Sequence, residues 1–147
     1  MTDCPLCSPS PHITRLWEDD FCRVVLLHDL DYPAYCRVEL LAHVKEMTDL
    51  PPKDRARLMK TVFAVETAMR EVIQPDKINL ASLGNKTPHL HWHLIPRFAD
   101  DKHFPNSHWG EATNDGLQAN SHALLGASQQ LLQEKIKTYI ECALAND

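Results

Sequence analysis

The chain reads as an α+β domain with a mostly antiparallel sheet, one long helix packed on it and a C-terminal helix. Three observations predict this. Short runs with period-two patterning recur before residue 42 and again between residues 78 and 97. One long stretch of helical periodicity separates the two groups, and a second helical stretch follows the last strand.

Residues 13–18 and 21–27 are two strands joined at Asp19-Asp20, and residues 34–41 form a third after the turn at Pro33. Asp49-Leu50-Pro51-Pro52 marks a helix start, because proline is tolerated in the first turn. Leu58, Val62, Val65, Met69 and Val72 then recur at helical spacing as an apolar stripe, and Pro75 ends it. Residues 78–83 are a fourth strand, and residues 84–88 connect it to a fifth that carries His89 to Arg97. Residues 98–109 form an aromatic, histidine-bearing loop that either folds over the fifth strand or covers the sheet edge. Residues 124–144 have the composition of a helix that docks on the rest.

At 147 residues and 44% hydrophobic, the chain suits one domain spanning residues 1–147. It has no apolar stretch long enough for a membrane span and no secretory signal at Met1-Thr2-Asp3-Cys4-Pro5, so a cytoplasmic location is expected. A net charge of −5 without a basic cluster argues against a nucleic-acid polymer as partner, since phosphate-backbone binding needs several Lys and Arg on one surface. Five cysteines, an odd count, do not make a disulfide framework. Cys22 and Cys36 fall in strand-like runs and read as buried thiols. Cys4-Pro5-Leu6-Cys7 is either half of a tetrahedral zinc site or a pair of free thiols.

The chemistry concentrates in His89-Leu90-His91-Trp92-His93-Leu94-Ile95-Pro96-Arg97. On a strand the three imidazoles share one face, while Leu90, Trp92 and Leu94 share the other. An imidazole serves as nucleophile, acid, base or metal ligand near neutral pH. The outer two histidines stand about 13 Å apart along such a strand, too far to hold one small ion together, so a three-histidine metal centre is not expected.

This row, entered through Asn79-Leu80-Ala81-Ser82-Leu83-Gly84-Asn85, resembles the histidine triad (HIT) motif of nucleotide hydrolases and transferases, including bacterial diadenosine tetraphosphate hydrolase-like proteins. Leu27-His28-Asp29-Leu30, followed by Tyr35-Cys36-Arg37-Val38-Glu39-Leu40 and His43, is similar to an earlier segment of that family. The resemblance covers roughly residues 4–100 and leaves residues 101–147 as a C-terminal loop and helix.

The resemblance implies a HIT-like fold, commonly a homodimer, and attack on a nucleotide α-phosphorus through a covalent nucleotidyl-histidine. Dinucleoside polyphosphates or adenosine phosphoramidates would be substrates. His91 would be the nucleophile, His93 the donor to a phosphate oxygen, and His89 the support of the row. Asn79 and Asn85 would give amide contacts to phosphate, Asp29 would bind the ribose, and Thr87 would assist the leaving group. The sequence departs from the family pattern in that the interval from Asn79 to His89 is about one residue shorter, so that Lys86 or Thr87 stands where a serine or threonine often takes that last role. The chemistry requires no cofactor, because imidazoles and amides stabilise the charge. In relatives that bind zinc, His43 and His89 would complete the site begun by Cys4 and Cys7, and His89 would then be structural. The alternatives are a nucleotide-binding regulatory module with little turnover and a zinc-supported structural protein.

Overall fold

The computed structural model describes residues 3–8, 10–115 and 119–146, the side chains of 119–127 excepted. Three strands come first: β1 (Ile13–Glu18), β2 (Cys22–Leu27) and β3 (Cys36–Leu40). A 3-10 turn at Met47–Asp49 leads into helix α1 (Pro52–Val72), and β4 (Lys77–Ala81), β5 (His91–Arg97) and helix α2 (Ala119–Leu144) follow. The five strands form one sheet in the order β1-β2-β3-β5-β4, with every neighbouring pair antiparallel. Among the described residues no helix is long and apolar enough to cross a membrane.

The register divides the sheet into two faces. Cys22, Val24, Leu26, Cys36, Val38, Leu40 and Leu94 are buried on the helix side, against Leu58, Val62, Val65 and Met69 of α1 and Leu132, Ile136 and Ile140 of α2. Each of the Val, Leu, Ile and Met side chains among them contributes about 1.5–3 kcal/mol by leaving water. The other face carries Arg23, Arg37, Glu39, His91, His93, Ile95, Arg97 and Asn79, as the pairings Arg23↔Glu39, Arg37↔His93, Glu39↔His91 and Asn79↔Ile95 require. One residue is inserted in β1 between Arg15 and Trp17, and this bulge lets Leu16 turn into the core.

Element boundaries depart from the sequence expectation where the backbone meets a local demand. Ala34 adopts φ 62°, in the left-handed region, so it closes a turn and β3 opens at Cys36. Helix α1 starts at Pro52 and is stopped by Gln74 at φ 51° ahead of Pro75. Strand β5 begins at His91, not His89. The amide of His89 bonds Thr87 O at 2.8 Å and that of Leu90 bonds Val44 O at 2.7 Å, so these two residues pair with neighbouring turns before the β5 ladder starts.

The loop after β5 is tied down by a buried ion pair. Arg97 and Asp101 have side chains 4% and 0% exposed, with Nε to Oδ2 at 2.7 Å. Arg97 also donates to Asn79 Oδ1 and the Asn106 carbonyl, while Asp101 accepts from the Phe98, His103 and Phe104 amides and the Tyr32 hydroxyl. Burial pushes the Asp101 carboxyl up, but the Arg97 bond and the backbone amides outweigh it and hold the group at about 2.

Leu94→Ala empties a fully buried position on the strand that carries the histidines. It should lower unfolding stability by about 2–5 kcal/mol, read as a lower urea midpoint with an unchanged slope. Asp101→Asn leaves Arg97 buried without its counter-charge and should cost about 3–5 kcal/mol. Because the folded carboxyl titrates below its unfolded value of about 3.9, its contribution is complete above pH 4 and is lost as pH falls toward 2. Thermal melts from pH 7 to 2 should show that acid-side loss in the wild type and a smaller one in the variant.

Candidate active site

His91 and His93 project from the non-helical face of β5 with ring centroids 4.8 Å apart. Both are buried. His91 Nδ1 lies 2.5 Å from the backbone carbonyl of His89. A carbonyl only accepts, so Nδ1 carries the proton and Nε2 keeps its lone pair. His93 Nδ1 lies 2.5 Å from the Tyr35 hydroxyl, which can give or take the hydrogen. Desolvation lowers the pKa of His91, opposed by its bond to His89. Desolvation, with His91, Arg37 and His108 nearby, takes His93 down to about 3. At neutral pH His93 is an uncharged imidazole.

The first histidine of the row stands apart from the other two. His89 Nε2 donates to the Leu40 carbonyl at 2.7 Å, and its Nδ1 faces Cys4 Sγ at 3.3 Å, Cys7 Sγ at 3.5 Å and His43 Nδ1 at 3.2 Å. Cys7 Sγ and His43 Nδ1 are 3.3 Å apart, and the four donor atoms all lie within 4.8 Å of one another. Ligands of a tetrahedral zinc, at about 2.0–2.3 Å from the metal, stand about 3.3–3.8 Å from each other, so this donor set fits such an ion. The bond from His89 to Leu40 adds to the fit, since a ligating imidazole ordinarily gives its other N–H to a carbonyl or carboxylate.

The remaining expected residues are dispersed around this centre. Asn79 shares the histidine face, but its Oδ1 is engaged by Arg97 at 2.8 Å. Asp29 accepts from the Asp31 amide at 2.9 Å and faces His108 Nε2 at 3.4 Å. Asn85 is exposed, in the turn that Gly84 opens at φ 78°. Thr87 is half-buried in the same turn and contributes its carbonyl to His89.

Several neighbours of the triad carry no role in the sequence expectation. Glu39, paired across the sheet with His91, is fully buried and binds two guanidiniums, Arg23 Nε at 2.7 Å and Arg37 Nε at 2.6 Å. The period-two run Tyr35, Arg37, Glu39 is the signal that places all three on the histidine face. His108 and Trp109 have no such signal, because they lie in an irregular loop. That loop folds over the site. Trp109 meets the ring of His93 at 5.2 Å, and His108 stands edge-on to Tyr32, Tyr35 and Trp109 at 4.5, 5.2 and 5.0 Å.

Comparison with known proteins agrees with this geometry. A scan of protein-family models matches the HIT domain over residues 12–100. A search of curated proteins finds no match. Among solved structures, a histidine triad protein from Marinobacter aquaeolei VT8 is 28% identical, with 85% of this chain and 91% of that one covered at a TM-score of 0.68. The histidine triad protein blr8122 from Bradyrhizobium japonicum is 24% identical over 90% and 97% of the two chains, with a TM-score of 0.69. A zinc-bound histidine triad family protein from Mycobacterium smegmatis is 24% identical over 90% and 96%, with a TM-score of 0.57. The latter two share the fold. Because the matched region takes in more than half of the sequence and contains all three histidines of the row, the chain belongs to the HIT, or histidine triad, domain family.

Proposed function

We propose that the protein is a nucleotide hydrolase or nucleotidyl transferase that works through a covalent nucleotidyl-histidine on His91. The observation that carries this reading is the bond from His91 Nδ1 to the His89 carbonyl. It fixes the tautomer in which Nε2 is an unprotonated nucleophile. Attack forms an Nε2–P bond at the α-phosphorus as the bond from phosphorus to the leaving group breaks. Water then displaces His91 and releases the nucleoside monophosphate. With the Tyr35 hydroxyl donating to its Nδ1, His93 presents Nε2–H to a non-bridging oxygen, where charge develops in transfer. Dinucleoside polyphosphates and adenosine phosphoramidates remain the substrate classes that the motif suggests. Asp29 serves the ribose once a nucleotide displaces the long contact from His108, and Asn79, Asn85 and Thr87 are the further substrate contacts. A single domain acting as a cytoplasmic homodimer completes the reading.

A zinc centre at Cys4, Cys7, His43 and His89 is the second part of the proposal, supported by the fit of the four donors and by the zinc-bound Mycobacterium smegmatis relative. Zinc there would act structurally, by clamping the N-terminal segment to the turns that flank β3 and β5. In this role His89 supports catalysis through its backbone carbonyl, and its ring is a metal ligand.

Intact-protein mass spectrometry after rapid quench with a dinucleoside tetraphosphate or an adenosine phosphoramidate should show a transient gain of one nucleotide on the wild type. His91→Ala should show none, with turnover reduced at least about a thousandfold. Bound nucleotide with neither adduct nor turnover in the wild type would favour a regulatory binding module. Tyr35→Phe keeps the ring and removes the bond to His93, and should lower kcat about tenfold. Elemental analysis should find one zinc per chain, and Cys4→Ser with Cys7→Ser should abolish it and lower the melting temperature.

A further inference from the structure

On the face that carries His91 and His93, two guanidiniums, Arg23 and Arg37, share one buried carboxylate, Glu39. Glu39 is a single anion between two guanidiniums. Arg23 is almost entirely enclosed and spends its remaining reach on the Leu6 carbonyl at 2.7 Å. Arg37 is held through Nε and Nη2 on Glu39 Oε1, its side chain is 18% exposed, and its Nη1 has no protein partner among the described residues. Across the ladder Arg37 faces His93 and Glu39 faces His91, and neighbouring strands of a sheet lie about 5 Å apart. The Arg37 guanidinium, turned along β3 toward Glu39, therefore sits beside both reacting histidines. It is a preformed cation in a site whose His93 is neutral.

We propose that Arg37 binds the phosphate chain of the leaving group, so that this site favours substrates that release a nucleoside polyphosphate anion over those that release an amine. The inference rests on His91 as the nucleophile. The two classes make different demands when the bond to the α-phosphorus breaks. In an anhydride the electron pair of the P–O bond goes to the departing oxygen, and the negative charge that collects there is stabilised by a fixed cation. In a phosphoramidate the pair goes to nitrogen, which must take up a proton to leave as a neutral amine. A guanidinium does not give up a proton, and His93, held at about 3, has none to spare beyond its single N–H. The site is thus equipped for an anionic leaving group. The fork to Glu39 orients Arg37 in advance, so little side-chain entropy is lost when it closes on phosphate.

The test compares diadenosine tetraphosphate with adenosine 5′-phosphoramidate on the wild type, Arg37→Gln and Arg37→Lys, with melting curves to confirm folding. The wild type should have the higher kcat/KM for the tetraphosphate. Arg37→Gln should lower that value about 10- to 100-fold and leave the phosphoramidate within about threefold, and Arg37→Lys should recover part of the loss. Equal losses on both substrates, or a wild type that prefers the phosphoramidate, would overturn the role of Arg37 while nucleotidyl-His91 still accumulates. Absence of that adduct in the wild type with either substrate would overturn the nucleophile reading and this inference together. If Arg37→Gln fails to fold, 10–100 mM guanidinium added to a folded Arg37→Ala variant should restore tetraphosphate cleavage selectively, and its failure to do so counts against the proposal.

Discussion

The hydrogen bond from His91 Nδ1 to the carbonyl of His89 spans only two residues, yet the chemistry of this site depends on it. For that carbonyl to face the ring, the chain must be held in position just before β5 begins. Leu90 is held by backbone bonds to Val44 and Leu40, and the ring of His89 is held by the Leu40 carbonyl and the Cys4, Cys7 and His43 cluster. The residue that sets the tautomer of His91 is therefore itself anchored, by the segment that follows β3 and by the N-terminal cysteines. A histidine free to flip would divide its population between tautomers, and only one of them has a lone pair on Nε2.

Charge on the reactive face is arranged around buried carboxylates. Glu39 and Asp101 are each fully enclosed and each is met by guanidinium donors. Charges buried in this way are tolerated because every one is paired and hydrogen-bonded. Their value lies in position more than in stability: Glu39 holds Arg37 beside the histidines, and Asp101 gathers the loop that brings Trp109 to His93. Trp109 remains half exposed there, at 50%.

Much of the fold is legible in the sequence because its signals are local. The period-two runs and the helical stripe from Leu58 to Met69 each report a buried face, and the structure has a wholly antiparallel sheet with two helices on one side. Alternation likewise places His91 and His93 on one face. It misplaces His89, for which the same alternation predicts a strand position. The backbone there answers to Val44 and Thr87, contacts that no local pattern encodes. The start of β3 escapes the sequence for a similar reason, since nothing at Ala34 signals a left-handed residue. Cys4, Cys7, His43 and His89 meet across 85 residues of sequence, and it was the resemblance, not periodicity, that joined them.

The family match stops at residue 100 and starts at residue 12. Inside it lie the sheet, His91, His93, Tyr35, Arg37 and Glu39. Outside it lie Cys4 and Cys7 at one end, and Asp101, His108 and Trp109 at the other. The matched portion therefore holds the geometry on which the proposed nucleophile rests, the His91 bond to the His89 carbonyl. The flanking portions hold Cys4 and Cys7, which meet the ring of His89, and Trp109, which meets the ring of His93. Both are fastened to the matched portion at several points, the first by the Arg23 bond to Leu6 and the Cys4 and Cys7 contacts with His89, the second by the Arg97–Asp101 pair, the Arg97 bond to the Asn106 carbonyl and the Tyr32 contacts with Asp101 and His103. Several anchors, not a single tether, thus carry Trp109 to the ring of His93. Under the proposed role of Arg37, discrimination among substrates beyond the α-phosphate would rest on a side chain of β3, with Trp109 walling His93 beside it.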